Sequence, residues 1–198
     1  MHKPCAESCV QNRQPIQRVL EQYLEGRETL LEIGSGTGQH AVYFGAAYPH
    51  LRWQTSDLQH NHAAINAWID DSGLANVSRP LTLDTTRPWP PIGQFDMVFS
   101  ANTLHIMSRA AVQGLFDHLP AVMHARSLFL VYGPFNYAGK YTSDSNRRFD
   151  QWLRQNDAQS GIKDFDWLSG IAAANGLECR ADHAMPENNR ILVWGGVD

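Results

Sequence analysis

The chain is poor in cysteine, with Cys5, Cys9 and Cys179 alone among 198 residues. So sparse and odd a set argues against a disulfide framework and fits a reducing compartment. Cys5 and Cys9 stand four apart, yet Asn12 occupies the place where a third thiol would extend them towards a cluster-binding motif. Two thiols without partners complete no metal centre, and none is expected. Long apolar runs are missing too: none approaches the roughly 20 residues needed to cross a bilayer. Residues 1–14 lack the apolar stretch and small-residue cleavage pattern of a signal peptide. Nor is there a cationic surplus. Sixteen Lys and Arg face twenty Asp and Glu, giving a formal charge of −4, and the basic residues are scattered rather than striped. No membrane or nucleic-acid partner is suggested. These absences lead us to expect a cytoplasmic protein, with a single domain over 1–198 and an N-terminal arm at 1–14.

What is present is alternation. Residues 15–25 place Ile16, Val19, Leu20, Tyr23 and Leu24 at helical spacing behind Pro15. Short apolar strands are expected at 30–33, 51–56, 77–83, 95–100 and 127–132, with helices at 39–47, 60–71 and 109–123, the last interrupted near Pro120. Residues 85–94 contain Pro88, Pro90 and Pro91, so no crossover helix is credible there. A polar, aromatic loop over 133–147 leads to helices at about 146–156 and 164–175, and 177–183 with 190–194 read as a closing hairpin. Strands alternating with helices predict a Rossmann-like, doubly wound, mostly parallel α/β sheet with a C-terminal antiparallel hairpin.

In such sheets ligands bind beyond the carboxyl ends of the strands. Five expected strands end there in small or polar residues: Gly34 to Gly38, Asp57, Asp84, Asn102 to His105, and Gly133 to Asn136. Three glycines on alternate positions between a strand and a helix let a ligand approach bare backbone at unpaired helix N–H groups. Asp57 stands about 20 residues beyond them, where a carboxylate suits a vicinal diol because it offers two acceptor oxygens.

Glu32-x-Gly34-x-Gly36-x-Gly38 resembles the first motif of class I S-adenosylmethionine-dependent methyltransferases. Dinucleotide dehydrogenases usually show GxGxxG, whose third glycine would fall at Gln39. A closer likeness spans nearly the whole chain. Asn12-Arg13-x-Pro15-Ile16, Asn102-x-x-His105-Ile106, Tyr132-Gly133-Pro134-Phe135, Thr142-Ser143-x-Ser145-Asn146 and Met185-Pro186-x-Asn188-Asn189 resemble a small methyltransferase-like family of unassigned substrate. The resemblance implies S-adenosyl-L-methionine as cofactor. It gives Gly34, Ser35, Gly36 and Gly38 to its methionine and ribose parts and Glu32 to its amino group. Asp57 would take the ribose hydroxyls, Asp84 and Thr85 the adenine amino group, Leu58 an adenine face, and Asn102 the methionine end.

Each assignment has a plainer counterpart: a helix cap at Asp57, an Asx-turn at Asp84, core packing at Leu58. His105, with an ordinary pKa of about 6.5, is the candidate catalytic base, or else a structural histidine. Arg13, Tyr132, Phe135 and Asn136 are the candidate substrate residues, the loop forming the acceptor wall. The expected activity is methyl transfer to a small molecule or exposed peptide group. An NAD(P)-dependent oxidoreductase and a non-catalytic S-adenosylmethionine-binding scaffold are the alternatives.

Overall fold

The computed structural model describes residues 3–197. Its central sheet has seven strands in the order β3-β2-β1-β4-β5-β9-β8. They are β1 (Thr29–Ile33), β2 (Arg52–Asp57), β3 (Val77–Thr82), β4 (Phe95–Ala101), β5 (Met123–Gly133), β8 (Leu177–Ala184) and β9 (Arg190–Gly196). β1 to β5 pair in parallel, and β9 runs antiparallel between β5 and β8. The order reverses between β1 and β4, which opens a crevice at their carboxyl ends.

Successive residues of each strand face opposite layers. Leu30, Trp53, Met97, Phe99, Leu130 and Val193 pack under α1 (Glu7–Leu20), α2 (Gln39–Ala47) and α3 (His62–Ser72). Leu31, Val98, Phe129, Val131 and Trp194 pack under α4 (Arg109–Val122) and α6 (Phe165–Ala174). One wholly buried tryptophan anchors each layer. Trp53 stacks on Phe44, with centroids 5.5 Å apart, and Trp194 meets Phe116 edge-on at 5.5 Å.

Three sequence expectations need correction. The arm is not free, because α1 begins at Glu7 and carries Pro15 inside it; residues 1 and 2 lie outside the described residues. Proline strips one helical bond from the carbonyl four residues back, here that of the exposed Gln11, where water can replace it. Pro120 likewise sits exposed in the last turn of α4, which runs unbroken to Val122. The 133–147 loop holds β6 (Phe135–Asn136), paired in parallel with β7 (Lys163–Asp164), and the first turn of α5 (Asp144–Asn156).

No helix forms between β3 and β4. The proline segment instead lays Trp89 against His118 of α4, rings 4.4 Å apart, with its Nε1 donating to the Asp84 carbonyl. Among the described residues no helix is long and apolar enough to cross a membrane.

Candidate cofactor and acceptor site

The turn leaving β1 holds Gly34, Gly36 and Gly38 at φ 73°, 59° and 87°, the left-handed region that side chains resist. Sterics separate them further. A Cβ on Gly34 would lie 2.6 Å from Thr103 Cγ2, and one on Gly38 3.0 Å from the Ile65 backbone. A Cβ on Gly36 would meet nothing within 4 Å. Gly34 and Gly38 are therefore small because protein presses on them, whereas Gly36 faces open space.

Two acids hold the turn. Asp57 ends β2, and its carboxylate accepts from Gly36 N (2.7 Å), Leu58 N (2.7 Å) and Asn61 Nδ2 (2.8 Å). Glu32 is 2% exposed and accepts from Ser35 Oγ (2.8 Å) and Trp53 Nε1 (3.0 Å). Burial pushes its pKa up to about 7, against the pull of those two donors. The Ser35 hydroxyl thus serves Glu32 and also accepts from Ser56 N. Its N–H donates to the Ser56 carbonyl (2.9 Å) and its carbonyl accepts from Gly38 N (2.8 Å), so Ser35 holds the turn together.

A cleft of about 320 Å³ opens beside this turn, within the range of small-ligand sites. Gly34, Asp57, Leu58, Asp84 and Thr85 meet along it. Leu58 is not core, being 41% exposed. Ile106, at 56%, lines the same cleft, and its apolar side chain in a polar segment was the signal sequence reading passed over. Asp84 makes the Asx-turn: Oδ1 accepts from Thr86 N (2.9 Å) and Thr86 Oγ1 (2.7 Å), and these bonds hold its carboxyl below the ordinary range. Thr85 is fixed by Gly114 of α4, where a Cβ would fall 2.1 Å from the Thr85 carbonyl oxygen. A mid-helix glycine, costly in itself, marks that close approach.

The remaining candidates lie outside this cleft. Asn102 follows β4 at φ 57° and donates its N–H to the Tyr132 carbonyl (2.9 Å). Tyr132, 4% exposed, has Asn12 and Asn189 beside its hydroxyl, and burial raises its pKa. Asn12 in turn meets His40 Nε2 at 2.8 Å, so α1 is fastened over the glycine turn's helix. His105 is 8% exposed, its ring edge-on to Phe149 at 5.3 Å, and neither ring nitrogen has a hydrogen-bond partner among the described residues. Burial, then the charge of Lys163, lowers its pKa to about 4, which leaves it neutral at pH 7.

The substrate set is not brought together. Phe135, at 1% exposed, belongs to the core beneath α4 and α6 and is no acceptor wall. Arg13 stacks on Tyr43 (4.7 Å) and lines a groove between α1 and α2 that neither Tyr132 nor Asn136 reaches. Asn136 buries an Oδ1 that has no hydrogen-bond partner among the described residues.

The family described as "Protein of unknown function (DUF938)" matches residues 3–195, and the chain belongs to it. Among solved structures, the mitomycin 7-O-methyltransferase MmcR is similar at 18% identity and TM-score 0.78, over 94% of this chain and 54% of its own. An O-methyltransferase family protein from Burkholderia thailandensis gives 16% and 0.81, over 97% and 58%. Human N-acetylserotonin methyltransferase, solved with S-adenosylmethionine, gives 11% and 0.79, over 97% and 53%. This chain spans little more than half the length of each. At such identities the likeness shows the fold, that of class I methyltransferases.

Proposed function

From that family and fold, we propose that the chain is an S-adenosylmethionine-dependent methyltransferase acting on a small molecule or an exposed peptide group. The observation that carries this reading is the Gly36 turn: backbone facing open space, its N–H held by Asp57 at the lip of the cleft. A cofactor of this shape fits. Asp57 Oδ2 accepts only from Gly36 N and keeps acceptor capacity for a ribose hydroxyl, whereas Oδ1 already takes two donors. Leu58 and Ile106 offer two exposed apolar side chains to a planar base. Asp84 and Thr85 line the cleft where the adenine amino group would be met. Glu32, charged, would balance a cofactor ammonium, and Asn102 would border the methionine end.

When bound, the cofactor supplies a sulfonium-activated methyl group. The protein's own contribution is then mainly alignment. His105, neutral at pH 7, would accept an acceptor's proton only weakly, since burial and Lys163 both oppose its charging.

Thermal shift separates the candidates. S-adenosylhomocysteine at about 100 times its Kd should stabilise the fold by about 2.7 kcal/mol, and Asp57→Ala should remove most of that. A shift with NADH and none with S-adenosylhomocysteine would overturn the proposal. Label transfer from S-adenosylmethionine into a metabolite extract tests catalysis itself: tight binding without transfer would mark a scaffold.

A further inference from the structure

On the other side of the segment after β4 lies a second cavity of about 410 Å³, which the proposed transfer does not use. Residues 106, 107 and 111 line the cofactor cleft, whereas 108, 109 and 110 line this one. Three cationic side chains face it: Arg109, Arg154 and Lys163.

Their charge is poorly balanced. Arg154 is paired with the buried Asp150, Nε to Oδ2 2.8 Å. Arg109 has no ion pair or hydrogen bond among the described residues, and its guanidinium lies over the Trp167 ring at 4.1 Å. Lys163 is 5% exposed, yet its Nζ donates only to the carbonyls of Met107 and Gly161, with no carboxylate within ion-pair distance among the described residues. An ammonium has three donors, so one is unspent. Asp164 also lines the cavity, but its oxygens already accept from Gly139 N (2.7 Å) and Asp166 N (2.9 Å).

Arg109 is moreover the first residue of the fourteen-residue α4, which has no acid in its first turn. A cation at the positive end of a helix dipole is unfavourable. The Ser108 hydroxyl takes the Ala111 N–H (3.1 Å), which leaves the N–H groups of Arg109 and Ala110 for another acceptor. Against Arg109 and the buried Lys163 stands the one carboxylate of Asp164, in ion-pair contact with neither, so at least one positive charge at this helix N-terminus has no counter-charge among the described residues.

We propose that this cavity is an oxyanion site, taking a carboxylate or phosphate group between Arg109, Lys163, Arg154 and the first turn of α4. The site stands whether or not the chain transfers methyl groups. Melting is followed as sodium phosphate, phenyl phosphate or sodium benzoate replaces sodium chloride at constant ionic strength. A saturable rise with at least one of them is expected, and comparison of the three tells free phosphate from a phosphoryl or carboxylate group on an organic molecule. Arg109→Ala should weaken binding at least about tenfold, the equivalent of one charge-assisted hydrogen bond, and Lys163→Met similarly. Arg109→Ala should keep the wild-type response to S-adenosylhomocysteine, which shows an intact fold and cofactor cleft. No saturable rise with any of the three, or an Arg109→Ala response equal to wild type, overturns the proposal.

Discussion

Gly34→Ala and Gly36→Ala are one chemical change made twice in one turn, and their consequences should differ. Both positions have left-handed φ, where an L side chain costs about 1–2 kcal/mol. At Gly34 the new Cβ would also lie 2.6 Å from Thr103 Cγ2 and 2.7 Å from its Oγ1, and overpacking adds about 1–3 kcal/mol. The expected losses are therefore about 2–5 kcal/mol for Gly34→Ala and about 1–2 kcal/mol for Gly36→Ala. At about 2–4 °C per kcal/mol for a chain of this length, the first should melt at least about 4 °C lower. Urea unfolding gives the free energies directly. Adding Thr103→Ala to Gly34→Ala should restore the crowding part and leave the backbone part. Binding reverses the order of severity: Gly36→Ala folds, but its methyl group fills the space before the turn and should weaken S-adenosylhomocysteine at least about tenfold, or 1.4 kcal/mol. Equal destabilisation of the two variants would refute the crowding by Thr103. Wild-type affinity in Gly36→Ala would refute the cofactor's place on this turn.

Three further outcomes follow. Glu32 titrates near 7 in the fold against an ordinary 4.5, so its stability contribution is full below pH 4.5 and falls as pH rises to 7, by about 3 kcal/mol; Glu32→Gln should flatten that slope in urea unfolding followed across this range, and an unchanged slope would place the titration elsewhere. His105 has the opposite sign: its pKa is depressed to about 4, so stability present above pH 6.5 is lost as pH falls towards 4. Proton NMR should find its imidazole neutral at pH 6, and Lys163→Met should move its titration upward; a value near 6.5 in the wild type would show an open, hydrated ring. Asp150→Ala removes a 1% exposed carboxylate that accepts from Ile162 N, Tyr141 Oη and Arg154 Nε; Arg154 is solvated once freed, so the unpaired buried Ile162 N–H sets the cost, about 1–3 kcal/mol by thermal unfolding. Asp144→Ala, on the exposed start of the same helix, should cost nearly nothing; similar losses would mean that the buried network contributes little.

The sheet was legible because its signals are local. Apolar runs, glycine stops and the proline block at 88–91 each act within a few residues, and alternation then fixes the two layers. The glycine turn was legible for the same reason, as were Leu58, Asp57 and Asp84 at strand ends. What escaped depends on distant partners. Pro15 reads as a helix start, and only the exposure of Gln11 lets α1 continue through it. Phe135 reads as a substrate residue on the acceptor wall, yet β6 pairs with β7 and carries it into the core. Arg13 lies in a shared motif, but a helix periodicity cannot say that the neighbouring face belongs to Tyr43. The cations of the second cavity come from α4, α5 and β7, three elements that no sequence window spans.

The two cavities are joined by one strip of backbone, and the bonds along it suggest how they communicate. The carbonyls of His105, Ile106 and Met107 accept in turn from Gly161 N (2.8 Å), Ser160 Oγ (2.9 Å) and Lys163 Nζ. Three successive residues of the candidate site are thus clasped by residues 160 and 161 and by Lys163, the first residue of β7, whose ammonium is the last clasp. Charge placed beside Lys163 acts on both ends of that strip. It draws on the ammonium that holds Met107, which lines the cofactor cleft, and it offsets the charge that, after burial, lowers the His105 pKa. An oxyanion bound there would therefore make the nearby imidazole more basic, whereas without one the imidazole stays at its least basic. Phosphate or benzoate bound in the basic cavity should raise the His105 titration in proton NMR, and an unmoved titration would show that the two cavities are independent.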